Sequence, residues 1–301
     1  MRLRTILRIS AISAVSCLAL ASCGGSGDAD SGTAGGDDYI KIAEDPQFDN
    51  GTKMADIADS GEVTIGTKFK QPLFGFKKID DSMAGFDVEI AKIIAGRLGV
   101  APEDINWKRS PSKFRELYIE KGKVDFIVAT YTINDERAKR VSFAGPYYKA
   151  GQKLMVRKDE KDITGPDSLQ ETDSKVCTAR GSTSYQNIKE YVPKSRITLF
   201  ASYSQCADAL KTGQVDAVTT DNVILLGLVS DNQNQFKLVG DAFTDEPYGV
   251  GIPKGATEFC EFINKTLQDA AAGGAYSKAW QNTAGEYASD TPELPEPNSC
   301  S

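Results

Sequence analysis

From residue 62 onward the chain alternates apolar runs of two kinds. EVTIGT, residues 62–67, places apolar side chains at every second position, the pattern of a strand. GFDVEIAKIIAGRLG, residues 85–99, puts Val88, Ile90, Ala91, Ile94 and Leu98 on one side at helical spacing, with Asp87 placed to cap the start and Gly99 the end. INW at 105–107 predicts a second strand. Residues 111–121 predict a helix with Phe114, Leu117 and Tyr118 as its apolar side. VDFIVA, 124–129, is apolar except at Asp125, as expected of a central parallel strand. The order then restarts: strand 175–179, helix 182–192, strand 197–201, helix 203–213, strand 215–220 and helix 221–231. Repeated β-α-β units imply parallel-type sheets with right-handed crossovers flanked by helices. Two such runs predict an α/β protein of two lobes.

EKGKVDFIVATYT (120–132) and KTGQVDAVTTDNV (211–223) echo one another, each running from a helix end through Gly and a Val-Asp strand into polar residues. The echo sets Thr130 opposite Asp221. Ligands of open parallel sheets sit beyond the carboxyl ends of strands. Four such ends here are polar or glycine-rich: 66–70, 130–132, 179–184 and 219–221. Lys68, Arg137, Arg180 and amides at helix starts suit carboxylates, and Asp221 suits an ammonium. An anion clamp, a cation clamp and spare positive charge together fit an acidic amino acid. Plainer alternatives exist for each residue. Arg137 could pair on its own helix with Asp135 or Glu136, Asp221 could only cap the helix that follows, Phe69 could be core, and Lys68 could be solvated, as Lys70 is expected to be.

The N-terminus changes the setting. Arg2, Arg4 and Arg8 precede an apolar stretch, 9–21, too short for a mature membrane span, so residues 1–22 read as a signal peptide. Leu20-Ala21-Ser22-Cys23 resembles a lipobox, which implies lipidation of Cys23, and the stretch from there to residue 59 reads as a tether, most plainly GGSGDADSGTAGGDD at 24–38. The net charge of −7 and scattered basic residues argue against a nucleic-acid partner. There is no histidine, which removes the commonest general base and zinc ligand. Neither cofactor nor metal is expected. Of six cysteines, Cys17 leaves with the signal and Cys23 takes lipid, so Cys177, Cys206, Cys260 and Cys300 remain for disulfides. Three pairings are open; joining nearest neighbours is the simplest.

The ordered stretches VTIGTKF, AGFDVEIAKIIAGRLG, KVDFIVATYTINDERAKRVSFAGPYY, ARGSTSYQ, GQVDAVTTDNVIL and EPYGVGIPKG resemble the extracellular family 3 solute-binding proteins of ABC importers, and within them the glutamate-binding lipoproteins. The resemblance implies a type II periplasmic-binding-protein-like fold. Lobe one would be 60–148 with 243–301, the first crossing 149–156, and lobe two 157–242. Carried over, Arg137 would clamp the ligand's α-carboxylate with Thr132, Ser182 and Thr183. Asp221 and the Thr130 carbonyl would hold the α-ammonium, Phe69 would pack on the ligand, and Lys68 or Arg180 (or both) would take a side-chain carboxylate. The chain departs from the family pattern at Thr130 and Tyr131, where glycine and methionine are usual. The implied function is capture of free glutamate, or aspartate, by a monomer anchored to the outer face of the cell membrane, for ABC permease and ATPase subunits. Alternatives are another polar amino acid such as glutamine, a cyclohexadienyl or arogenate dehydratase-like enzyme on the same fold, or a sensor or adhesion lipoprotein. The cleft motifs offer no extra glutamate for dehydratase chemistry.

Overall fold

The computed structural model describes residues 38–288 and 290–300; the signal peptide and Cys23 fall outside them. Two five-stranded mixed sheets form the framework. The first runs in the order 105–109, 63–67, 126–127, 246–252, 142–150. Its first three strands are parallel, and 246–252 is antiparallel to both neighbours. The second runs 197–200, 176–179, 217–221, 152–157, 236–239, with 152–157 antiparallel to both of its neighbours. A three-stranded antiparallel flap, 70–71, 75–77 and 83–84, extends from the first lobe.

The internal echo has a shared physical job. Asp125 accepts the backbone N–H of Thr64 at 2.8 Å, and Asp216 accepts that of Lys175 at 2.9 Å. Each carboxylate thereby ties the start of its strand to the neighbouring parallel strand. The chain passes from the first sheet to the second at Gly151, beside its return. A Cβ on Gly151 would lie 2.7 Å from Ala242 Cβ and 2.8 Å from the Thr244 carbonyl oxygen, so only glycine lets the two crossings lie this close. Both disulfides join nearest neighbours: Cys177–Cys206 and Cys260–Cys300.

Three expectations need correction. Residues 39–59 belong to the first lobe, not to a tether. Ile40, Met54 and Ile57 are buried in its core, Tyr39 donates to Glu89 at 2.6 Å, and helix Lys53–Ser60 is capped by Thr52 and by left-handed Gly61. Asp87 does not cap its helix, which starts at Phe86 with Gly85 in the cap position; its carboxylate is buried and accepts from Tyr147 at 2.6 Å. The expected helix 111–121 is a 3₁₀ turn, Ser112–Phe114, followed by Arg115–Glu120, and its polarity is reversed. Arg115, Glu116 and Ile119 face inward, while Phe114 and Leu117 are each 37 % exposed.

Candidate functional site

The site grows from the break after strand 126–127. Thr130 adopts a left-handed backbone, φ 44°, unusual for a β-branched residue. Arg115 holds it there, donating Nη1 to the carbonyls of Ala129 at 2.9 Å and Thr130 at 3.1 Å. Gln71 Nε2 donates to the Thr130 hydroxyl at 3.2 Å. The break sends Tyr131 inward, where its ring lies under two guanidiniums, Arg115 at 4.0 Å and Arg137 at 5.1 Å.

Arg137 sits in the short helix Asp135–Ala138, capped by Asn134. Its guanidinium turns away from its own helix. Nη1 donates to the Thr132 carbonyl at 2.6 Å, Nε lies 3.4 Å from Glu116, and Nη2 reaches the Gly181 carbonyl of the second lobe at 3.5 Å. The expected alternative partners, Asp135 and Glu136, are not the ones it uses. Burial, then the Arg115 charge, push its pKa down to about 10.

The second lobe brings a helix start and a carboxylate. Ser182 caps helix Thr183–Ile188, accepting the Tyr185 N–H at 3.0 Å. The hydroxyls of Thr132 and Thr183, one from each lobe, converge on Glu246 at 2.6 and 2.7 Å. Asp221 precedes helix Asn222–Asp231 but makes no capping bond. Tyr248 donates to its Oδ2 at 2.6 Å, and among the described residues its buried Oδ1 has no partner. Burial, and then the Glu246 charge, raise its pKa to about 7. A buried carboxylate with one oxygen spare is an acceptor for a cation.

The two candidate side-chain cations part company. Lys68 turns into the gap between the lobes and donates to Ser112 at 2.7 Å. Phe69 lines the same gap with Ser110, Ala179 and Tyr203. Burial, then Arg115, hold the Lys68 pKa well below its ordinary value. Arg180 is exposed; it donates to the Leu199 carbonyl at 3.3 Å and lines an outer groove that shares Arg109, Pro111 and Ala201 with the gap. Arg137 and Asp221 do not line the Lys68 gap and are themselves buried, 7 % and 3 % exposed.

Residues 63–283 match the model of the bacterial extracellular solute-binding proteins, family 3. The chain belongs to this family. It is 36 % identical to "Glutamate-binding protein GluB" of Corynebacterium efficiens, over 79 % of this chain and 84 % of that one. It is equally similar, 36 %, to "ABC transporter glutamine-binding protein GlnH" of Bacillus subtilis, over 93 % and 97 %. Among solved structures, an ancestral arginine-binding protein bound to glutamine matches with a TM-score of 0.69 and 37 % identity, over 74 % of this chain and 97 % of that one. The family is extracytoplasmic, and its relatives here are solute-binding proteins, not enzymes. No helix among the described residues is long and apolar enough to cross a membrane.

In this family member, sequence reading missed four groups at the site: Arg115, Glu116, Glu246 and Tyr248. Glu246 is the extra carboxylate that the cleft motifs did not reveal, yet its oxygens are taken by Thr132, Thr183, Thr244 and Asn187. One signal was available: a glutamate opening the otherwise apolar strand EPYGVGI is an expensive residue to bury without a purpose. The Thr130 carbonyl, assigned above to an ammonium, accepts from Arg115 in this structure.

Proposed function

We propose that this protein captures an acidic amino acid, L-glutamate before L-aspartate, between its two lobes and presents it to the permease of an ABC importer, tethered to the outer face of the membrane by lipidated Cys23. Arg137, with Thr132, Ser182 and Thr183, takes the α-carboxylate. Asp221, through its spare Oδ1, takes the α-ammonium. Phe69 packs on the side chain and Lys68 takes its carboxylate.

The observation that carries the reading is Lys68. Its ammonium is turned into the interlobe gap beside a serine hydroxyl, among the described residues no carboxylate pairs with it, and burial has made its charge costly. A second carboxylate offsets that cost; a neutral amide does so only in part. Glutamine is the second reading, favoured by the similarity to GlnH.

Calorimetry on the wild type and Lys68→Met decides between them. Glutamate binding is expected to weaken roughly 30-fold or more in the variant, the cost of unpairing a buried charge, with glutamine changed much less. Tighter binding of glutamine than glutamate by the wild type would overturn the assignment.

A further inference from the structure

The reversed helix leaves something on the outside. Phe114 and Leu117 are exposed, and the rings of Phe114 and Tyr118 stack at 5.9 Å, 10° from parallel. These rings lie in an outer groove of about 760 Å³ whose charged lining residues are all cations: Lys108, Arg109 and Lys113 from the first lobe, Arg180 from the second. Among the described residues no carboxylate lines it and none of the four is in an ion pair. In a chain of net charge −7 that concentration is conspicuous, since mixed surface charge is the ordinary way to keep a protein soluble.

The groove also crosses the seam between the lobes. A Cβ on Gly181, the neighbour of Arg180, would stand 2.6 Å from Lys113 Cα, so the two backbones touch there. Parting the lobes would carry Arg180 away from Lys113 and dismantle the groove.

We propose that this groove docks an acidic peptide segment of a partner protein, and that it does so only when the lobes are together. The four cations supply the charge match, and the stacked rings offer apolar cover for side chains between the acidic ones. An extended nucleic acid fits less well, because the chain as a whole carries a net charge of −7. The inference rests on the proposed capture of the ligand between the lobes, with the lobes closing on it.

The test uses the full chain and a fluorescein-labelled ten-residue peptide of alternating Glu and Asp with one central Tyr, read by anisotropy. The expected result is one-site, salt-weakened binding that tightens about tenfold when L-glutamate saturates the protein. Lys108→Glu with Lys113→Glu should weaken the peptide about tenfold or more while leaving glutamate affinity within about twofold. No binding, binding unchanged in the double variant, or binding indifferent to closure overturns the proposal. Tighter binding of a single-stranded oligonucleotide overturns the choice of partner. If glutamate itself does not bind, the ligand reading fails separately. A Lys70→Cys/Ser204→Cys cross-link, placed where Ser204 donates to the Lys70 carbonyl at 2.8 Å, then closes the lobes without ligand, and the same peptide titration still decides.

Discussion

In the binding mode proposed above, Asp221 and Lys68 would pull the ligand's affinity in opposite directions along the pH scale. For Asp221, burial has raised the pKa from 3.8 to about 7, so an arriving ammonium must find it ionised. Below about pH 7 binding must expel a proton, and affinity should fall as the solution is acidified. For Lys68 the pKa is lowered, and a ligand carboxylate would raise it again. Glutamate, and not glutamine, should therefore weaken at high pH with uptake of a proton. Calorimetry in buffers of different ionisation heat would read both proton counts. The same shift has a stability sign. The folded pKa of Asp221 exceeds the unfolded one, so the protonated form is favoured by folding. The ionised side chain destabilises the unliganded fold above about pH 7, and that penalty disappears as pH falls through 7 towards 3.8. Asp221→Asn should abolish binding and yet raise the unliganded melting temperature at pH 8, with the gain shrinking towards pH 5. A variant less stable than wild type at pH 8 would contradict the burial argument.

At the scale of elements, what the sequence revealed depended on whether apolar pattern and packing agreed. The helix containing Ile90, Ala91 and Ile94 and the strand 217–221 could be read directly, because their apolar residues face the core. Helix Arg115–Glu120 could not. Arg115 and Glu116 are buried against Tyr131 and Arg137, while Glu120 stays exposed and pairs with Arg140, so a pattern rule assigns the wrong face. Arg137, Thr132 and Asp221 were legible as types at strand ends; the direction taken by Lys68 and Arg180 was not, since a loop side chain is aimed by what packs around it. Helix Asn222–Asp231 holds another case. Gly227 lies in its interior, where alanine would be better by about 1 kcal/mol. A Cβ there would stand 2.6 Å from the Pro72 carbonyl oxygen of the flap. Backbone yields poorly, so glycine is kept for lobe contact rather than for the helix. Gly227→Ala is expected to hold or raise thermal stability without ligand, weaken every amino-acid ligand about tenfold or more, and give a more open ligand-bound envelope in small-angle scattering. Unchanged affinity would mean that the flap gives way freely.

For the whole molecule, the two sheets carry separate cores, and each disulfide belongs to one of them. Cys177 and Cys206 are buried in a cluster with Met155, Leu210 and Phe236, whereas Cys260 packs with Phe126, Ile263 and Trp280 on the other sheet. Cys300 holds the C-terminal segment there, alongside the bond from Asn298 N–H to the Gly145 carbonyl. The bridges close loops with sequence separations of 29 and 40, so in the chain-entropy model each contributes about 3.5–4 kcal/mol. Without ligand, only the crossings and the contacts across the cleft couple the lobes, and unfolding need not be a single transition. Calorimetric scans should therefore resolve two steps. Cys177→Ser with Cys206→Ser should lower one of them, and Cys260→Ser with Cys300→Ser the other. A ligand held as proposed, by Arg137 on one lobe and Asp221 on the other, would bind only when both are folded. At a thousand times its dissociation constant it adds about 4 kcal/mol to the assembled state, so saturation should draw the two steps together. If both cysteine pairs lowered the same step, or saturation moved only one, the lobes would not be the independent bodies that a closing cleft requires.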